Sequence, residues 1–438
     1  MLRAMARRVI VALEAVGTVG MALGAGPTVA IRTDFPGGNV VVVKAEPGAV
    51  QLAPDLRGGM PWFYWYFEAT ADRPGRVNFI FPEKVAGFVN GAIGYQGPAV
   101  SHDHGRTWQW MGTDDVQGNA FRYQFTKANE KVRLAVTMPY VEADYARFIK
   151  GHAANPHLAR SVLTKSLKGR PVELVQIGKP GPGVRAVLLV CRHHACETMA
   201  SFVFEGFLAA ALSDTPAAVE FRRKYVLYAV PFVDRDGVED GDQGKNRKPH
   251  DHNRDYGEGS LYPEIDAIEK LADSRNIQFL QDFHCPTLRM EDHQVMYFVG
   301  SKDTPAGNEE NVRKYARMIK EGLPPNSPHG PLVWLQKRAA KAAGDNCNDH
   351  FAFREGAIMA STIEIPFAPP KATMNATQAR GIGQAMLKAW AKMEFAGGHG
   401  GTPAMEGRGA GGDGDKAEAH ASAHMLPDAS GPGRRLEH

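Results

Sequence analysis

"VRAVLLVCRHHACETMASFVFEGFLAAAL" runs from Val184 to Leu212 and changes character twice. Val184–Val190 is a short, continuous apolar run, the pattern of a strand buried on both faces. Glu197–Leu212 repeats its apolar residues at helical spacing and reads as an amphipathic helix. Between them "CRHHACE", Cys191–Glu197, crowds cysteines, histidines and a glutamate into one turn of chain. A buried strand that feeds a helix is the unit of an α/β sheet covered on both sides. In such sheets ligands bind beyond the carboxyl ends of the strands, which is where this polar cluster falls.

The same alternation continues outward. "YVLYAVP" (Tyr225–Pro231), "IQFLQDF" (Ile277–Phe283), "QVMYFVG" (Gln294–Gly300) and "IMASTIEI" (Ile358–Ile365) read as further strands. Helices are expected at "ADYARFIKGHA" and near Pro263–Ala272, Asn308–Glu321 and Thr373–Phe395. Upstream the period differs. From about Ile31 to Thr137, short aromatic and β-branched runs such as "WFYWYFEA" (Trp62–Ala69), "RVNFIFP" (Arg76–Pro82) and "FRYQF" (Phe121–Phe125) are separated by Gly, Pro, Asp and Asn. This predicts an antiparallel β-sandwich. The aromatic run in it reads either as a strand buried on both faces or as a sugar-binding platform.

The chain has 438 residues, 43% of them hydrophobic, and its 51 basic and 48 acidic residues leave a net charge of +3. Length and composition predict more than one domain and a sizeable core. With balanced charge and no basic stripe, neither nucleic acid nor an anionic membrane is an expected partner. The four cysteines are too few for a disulfide scaffold. Residues 1–30 open with basic residues, then run apolar, and predict an export signal, with a cytoplasmic location as the alternative. Residues 31–138 form the expected sandwich, 139–395 the α/β domain and 396–438 a Gly- and Ala-rich tail without the apolar residues to order itself. Gly407–Gly412 in that tail matches a dinucleotide fingerprint by spacing, but has neither the strand before it nor the helix after it.

Two other strands end in residues that an apolar core does not select. "IQFLQDFH" ends at His284, and "TIEIPF" sets Glu364 among Ile363, Ile365 and Phe367. A buried carboxylate needs a partner or a task. His194, Glu197 and His284 with an open fourth position make a hydrolytic zinc site, and Glu364 is then a candidate general base. The loop "DGVEDGDQGKNRKPHDHNRDY", Asp236–Tyr256, follows the strand that ends at Pro231 and fails as a phosphate loop.

Taken in order, these motifs resemble the zinc metallocarboxypeptidases, in particular the cytosolic-carboxypeptidase-like branch with an N-terminal β-sandwich. The resemblance covers roughly Ile31 to Phe395. It implies an α/β fold with a mixed sheet flanked by helices, and one Zn2+ per chain held by His194, Glu197 and His284. It further implies that Glu364 is the catalytic base, that Asn253 and Arg254 hold the substrate's terminal carboxylate, and that Asp251 orients a ligand histidine. Arg247 best matches the family arginine that polarises the scissile carbonyl. Asp349 lies in the stretch where the family sets side-chain preference. The family's substrate-capping tyrosine has no counterpart between Ala316 and Ile363.

The expected activity is zinc-dependent hydrolysis of the C-terminal peptide bond, with peptide or protein C-termini as substrates. One alternative is an aspartoacylase- or desuccinylase-like amidohydrolase acting on N-acyl amino acids, against which the sandwich argues. The other is a non-catalytic zinc-dependent protein that binds peptide or glycan, against which the buried Glu364 argues.

Overall fold

A computed structural model describes residues 26–56, 63–82, 91–288, 294–302, 304–323, 333–339, 346–370 and 374–395. The segment read as an export signal, except for its last residues, and the tail beyond residue 395 lie outside the described residues. Among the described residues no single helix is long and apolar enough to cross a membrane.

Ten strands come first: Val29–Arg32 (β1), Val41–Glu46 (β2), Ala49–Ala53 (β3), Tyr66–Ala71 (β4), Gly75–Ile80 (β5), Ala99–Ser101 (β6), Gln109–Trp110 (β7), Val116–Gln117 (β8), Ala120–Phe125 (β9) and Lys131–Ala135 (β10). They form two five-stranded sheets, ordered β1-β4-β10-β6-β7 and β2-β3-β5-β9-β8. Aromatic residues close the space between the sheets: Phe67 meets Phe79 at 5.5 Å between ring centroids, and Trp65 stacks on Phe121 at 5.8 Å. The aromatic run is therefore core on both faces, with Trp65 and Phe67 fully buried. One pairing departs from the expected antiparallel sandwich. Strand β3 runs parallel to β5, because β2 and β3 form a hairpin that inserts at the sheet edge.

The second unit begins with Glu142–Gly151 (α1) and continues through Leu158–Lys165 (β11), Pro171–Ile177 (β12), Arg185–Cys191 (β13), Thr198–Ala211 (α2), Pro216–Lys224 (α3), Tyr225–Val230 (β14) and Arg235–Asp240 (α4). It ends with Pro263–Ser274 (α5), Ile277–His284 (β15), Tyr297–Lys302 (β16), Ala306–Gly322 (α6), Val333–Ala339 (β17), Cys347–Ala352 (α7), Met359–Glu364 (β18) and Ala376–Lys392 (α8). The eight strands form one mixed sheet in the order β11-β12-β14-β13-β15-β18-β16-β17. Its centre, β14-β13-β15-β18, is parallel, while β12 and β16 join it antiparallel.

Alternation along β13 shows why its sequence is apolar from Ala186 to Cys191. Val187, Leu189 and Cys191 pack into the layer built by α2, α3, α6 and α8, whereas Ala186, Leu188 and Val190 face the layer that holds α5 and α7. A strand covered on both faces has no solvent side on which to place polar residues. The polar residues are confined to its end.

Candidate active site

Strands β13, β15 and β18 lie side by side in parallel, so their carboxyl ends open at one edge of the sheet. Register sets Cys191 beside Phe283 and His284 beside Glu364. The chain leaves β13 through Arg192, whose left-handed backbone (φ 66°) starts the turn that carries His193, His194 and Glu197. The Arg192 side chain holds that turn. Its buried guanidinium donates to Ala195 O, to Tyr140 O at 2.8 Å and to Ser201 Oγ at 3.0 Å.

His194, Glu197 and His284 converge, all three buried. His194 Nδ1 lies 2.8 Å from Glu197 Oε1, and His284 Nδ1 lies 2.8 Å from Glu197 Oε2. Each imidazole is held from behind through its other nitrogen. Asp251 Oδ1 is 3.2 Å from His194 Nε2, and Asp282 Oδ2 is 2.7 Å from His284 Nε2. A carboxylate behind each ring keeps the proton on Nε2 and leaves Nδ1 to bind a metal. Two imidazoles and one carboxylate match a catalytic zinc centre with room for further ligands. Burial alone would raise the Asp282 carboxyl, but the imidazoles of His284 and His193 hold it well below the ordinary range. A second grouping, His193, Asp282 and His284, also brings three donor atoms together. There Asp282 sits between the two rings, 3.0 Å from His193 Nδ1, and Tyr256 Oη occupies His193 Nε2 at 2.7 Å. That geometry is a hydrogen-bonded support for His284.

Glu364 closes β18 beside His284. Its Oε2 is buried and has no hydrogen-bond partner among the described residues. Asn253 approaches the same histidine, with Nδ2 3.4 Å from His284 Nε2, and its Oδ1 accepts from Cys347 N at 3.0 Å. Arg254 is half-buried, donates to Asn253 O at 2.6 Å and forms no salt bridge among the described residues. Asp251 also accepts from Asn246 N at 2.7 Å and Asn253 N at 2.8 Å, which ties the loop to the His194 side of the site.

Arg247 is placed elsewhere. Its Nη1 lies 2.7 Å from Asp234 Oδ2 and 3.3 Å from Asp242 Oδ2, and its guanidinium carbon is 6.0 Å from the Tyr262 ring. None of these partners belongs to the His194–Glu197–His284 group. Asp234 is fully buried and caps α4, so without Arg247 it would be an uncompensated buried charge. Asp349 is likewise engaged within the protein, accepting from Asn346 Nδ2 at 2.9 Å in the first turn of α7.

Two residues near the group escaped the sequence reading. Lys245 Nζ stands 3.6 Å from Glu197 Oε1. Burial works against its charge, yet the carboxylates of Glu197 and Glu364 outweigh this and hold the ammonium above its ordinary range. Tyr297 pairs with Glu364 across β16 and β18, and burial followed by the Glu364 and Glu197 carboxylates holds its phenol well up. The four cysteines are all free and buried, and none joins either donor group.

A model of the family described as zinc carboxypeptidase matches residues 145–380, more than half of the chain. The chain belongs to that family. Zinc is the family's cofactor, and the donor set above fits it. An uncharacterised protein of Zymomonas mobilis is 23% identical over 350 residues, covering 78% of this chain and 88% of that protein. Cytosolic carboxypeptidase 2 of Xenopus tropicalis is 27% identical over 218 residues, 46% of this chain, but the match spans only 22% of that longer protein. Among solved structures, a metallo-carboxypeptidase from Burkholderia cenocepacia shares the fold with a TM-score of 0.70 at 20% identity, covering 83% of this chain and 98% of that one. A metallo-carboxypeptidase from Pseudomonas aeruginosa, solved with (2-guanidinoethylmercapto)succinic acid, gives 0.69 at 20% identity, with the same coverage of both chains.

Proposed function

We propose that this protein removes residues one at a time from peptide C-termini, with His194, Glu197 and His284 as metal ligands and Glu364 as general base. One observation carries the reading: an unpartnered, buried carboxylate oxygen of Glu364 at a strand end in register with His284. A carboxylate oxygen with no hydrogen-bond partner among the described residues is available at that position to move a proton. When bound, zinc lowers the pKa of a water molecule toward neutrality and polarises a carbonyl.

Glu364 takes a proton from the attacking water as its oxygen bonds to the scissile carbonyl carbon and the carbonyl π electrons move onto oxygen. The same carboxyl returns that proton to the amide nitrogen as the C–N bond breaks. The proton left on the attacking oxygen passes to the released amine, so the free amino acid leaves as an ammonium and the shortened peptide keeps the new carboxylate. Arg254, a guanidinium next to Asn253 that forms no salt bridge among the described residues, suits a fork-like grip on the substrate's terminal carboxylate, which favours exopeptidase over endopeptidase action. Asp251 keeps His194 in its metal-binding tautomer.

The test is a mixed peptide library offered beside N-acyl amino acids, with released residues identified by mass spectrometry in the presence and absence of a chelator. Chelator-sensitive release of single C-terminal residues from the peptides is expected. Hydrolysis confined to the N-acyl amino acids would replace the peptidase with an amidohydrolase.

A further inference from the structure

The loop that carries Lys245 is fixed on both sides of that residue. Before it, Gln243 O accepts from Cys196 N at 2.9 Å, and Gln243 Oε1 accepts from Phe63 N at 2.8 Å. Gly244 has φ +83°, and a Cβ there would come 2.4 Å from Ala195 N and 2.9 Å from the His194 Cα. Only glycine permits so close an approach to the ligand turn. After it, Asn246 N donates to Asp251, the carboxylate that holds His194. Lys245 therefore hangs between two anchors, each attached to the elements that hold the metal-ligand group.

Its ammonium is ion-paired with Glu197 but not hydrogen-bonded to it. Nζ is 3.6 Å from Glu197 Oε1, beyond hydrogen-bond distance, and it donates no hydrogen bond among the described residues. The side chain keeps 27% of its surface exposed beside the group. Glu364 acts on it as well as Glu197. An ammonium facing a divalent cation is repelled unless negative charge lies between them. Glu197 supplies part of that charge. Amide hydrolysis supplies the rest when the carbonyl oxygen becomes an oxyanion. Arg247 cannot serve while it neutralises Asp234 and Asp242.

We propose that Lys245 is a catalytic residue, the protein cation that stabilises the oxyanion formed from the scissile carbonyl, in the role that the family resemblance implied for Arg247. The proposal rests on the carboxypeptidase reading above. Its rival is that Lys245 is only a counter-ion that lets Glu197 be buried.

Zinc-loaded parent protein is compared with Lys245→Met, Lys245→Gln and Lys245→Arg. The measurements are zinc content, melting temperature, kcat and KM on one peptide, and calorimetric affinity for two ligands. The first ligand is a peptide phosphonate, whose tetrahedral anionic oxygens mimic the oxyanion. The second is the free amino acid product, which lacks that centre. The Met and Gln variants should keep their zinc and lose about 10²–10³ in kcat, the scale for removing one oxyanion donor, with KM nearly unchanged. Phosphonate affinity should fall by a similar factor, product affinity should stay within about threefold, and Arg should recover part of both losses.

A folded Met or Gln variant with kcat within about threefold of the parent overturns the assignment. So does a loss of rate with phosphonate affinity unchanged. Loss of zinc or of the fold in both the Met and Gln variants also overturns it, in favour of the counter-ion. The phosphonate comparison needs no turnover. A parent protein that cleaves no peptide would thus sink the carboxypeptidase reading and still leave Lys245 tested.

Discussion

Among the described residues, Glu364 Oε2 has no hydrogen-bond partner and Arg254 no salt bridge, and each sets a different expectation. Burying a carboxylate oxygen without a hydrogen bond is costly, so the fold keeps Glu364 Oε2 unpaired at the expense of stability. Glu364→Gln should therefore keep the zinc, melt no lower than the parent, and lose roughly 10²–10⁴ in kcat, the span for losing a general base. Zinc analysis, calorimetric melting and single-turnover rates check this, and activity within a few-fold of the parent would make Glu364 structural. Arg254 poses a question of charge recognition. Amidating a peptide C-terminus removes the negative charge, and Arg254→Ala removes the positive one. Each should weaken transition-state binding by about 2–5 kcal/mol, the scale for stripping one partner from a desolvated pair. The two losses should not add, since both delete one contact. The acid-to-amide ratio of kcat/KM in parent and variant reads this out; an unchanged ratio would leave Arg254 as a brace for its loop.

Helix α5 contributes an element that should govern pH dependence. Glu264 lies in its first turn, buried, with Oε2 unpartnered among the described residues. Burial, with Asp234 and Asp236 adding to it, pushes its carboxyl from an ordinary 4.5 up to about 7. The folded state thus holds this proton more tightly than the unfolded chain does. Its stabilising effect is complete below about pH 4.5 and is lost as pH rises through 7. At about 1.4 kcal/mol per pKa unit the loss is on the order of 3 kcal/mol. Glu264→Gln should raise the melting temperature at pH 8 and change it little at pH 5; a shift of equal size at both values would mean that the carboxyl does not titrate in this window. The elements around the site were legible in sequence because β13, β15 and β18 are covered on both faces, so each is rich in apolar residues and ends next to a polar cluster, although β15 also buries Gln281 and Asp282 and β18 buries Ser361 and Thr362. Edge strands were not. "LARSVLTK" of β11 is mostly exposed and carries no such run. The loop after α4 was the least legible. The left-handed backbone of Gly244 and Asn246 turns Lys245 toward the metal group, while Arg247 goes to Asp234, and no periodicity in the sequence encodes that choice.

At the scale of the whole molecule, the sandwich reaches the loop after α4 directly. Asn39, fully buried beside β2, donates from Nδ2 to Gly241 O at 2.7 Å, and Gly37 N donates to Glu239 O at 2.9 Å. Gly241 has φ +77°, and a Cβ on it would lie 2.7 Å from Gly37 O, so the two units meet backbone to backbone. Phe63 N on Gln243 Oε1 adds a third bond two residues before Lys245. The sandwich therefore acts as a strut for the loop that presents Lys245 and Asn246. Asn39→Ala removes the bond to Gly241 O and the one that Oδ1 accepts from Asp55 N at 3.0 Å, which should cost about 1–3 kcal/mol of stability. If the strut also positions Lys245, kcat should fall several-fold with zinc content unchanged. Loss of stability alone does not predict a rate effect, so a sandwich-core substitution such as Phe79→Leu, chosen to match the drop in melting temperature, should leave kcat near the parent value. The decisive comparison adds Asn39→Ala to Lys245→Met. A positioning residue can lose its effect only once, so the double variant should be no slower than Lys245→Met by more than about twofold. Multiplicative losses would show that Asn39 acts on the site by a route that does not pass through Lys245.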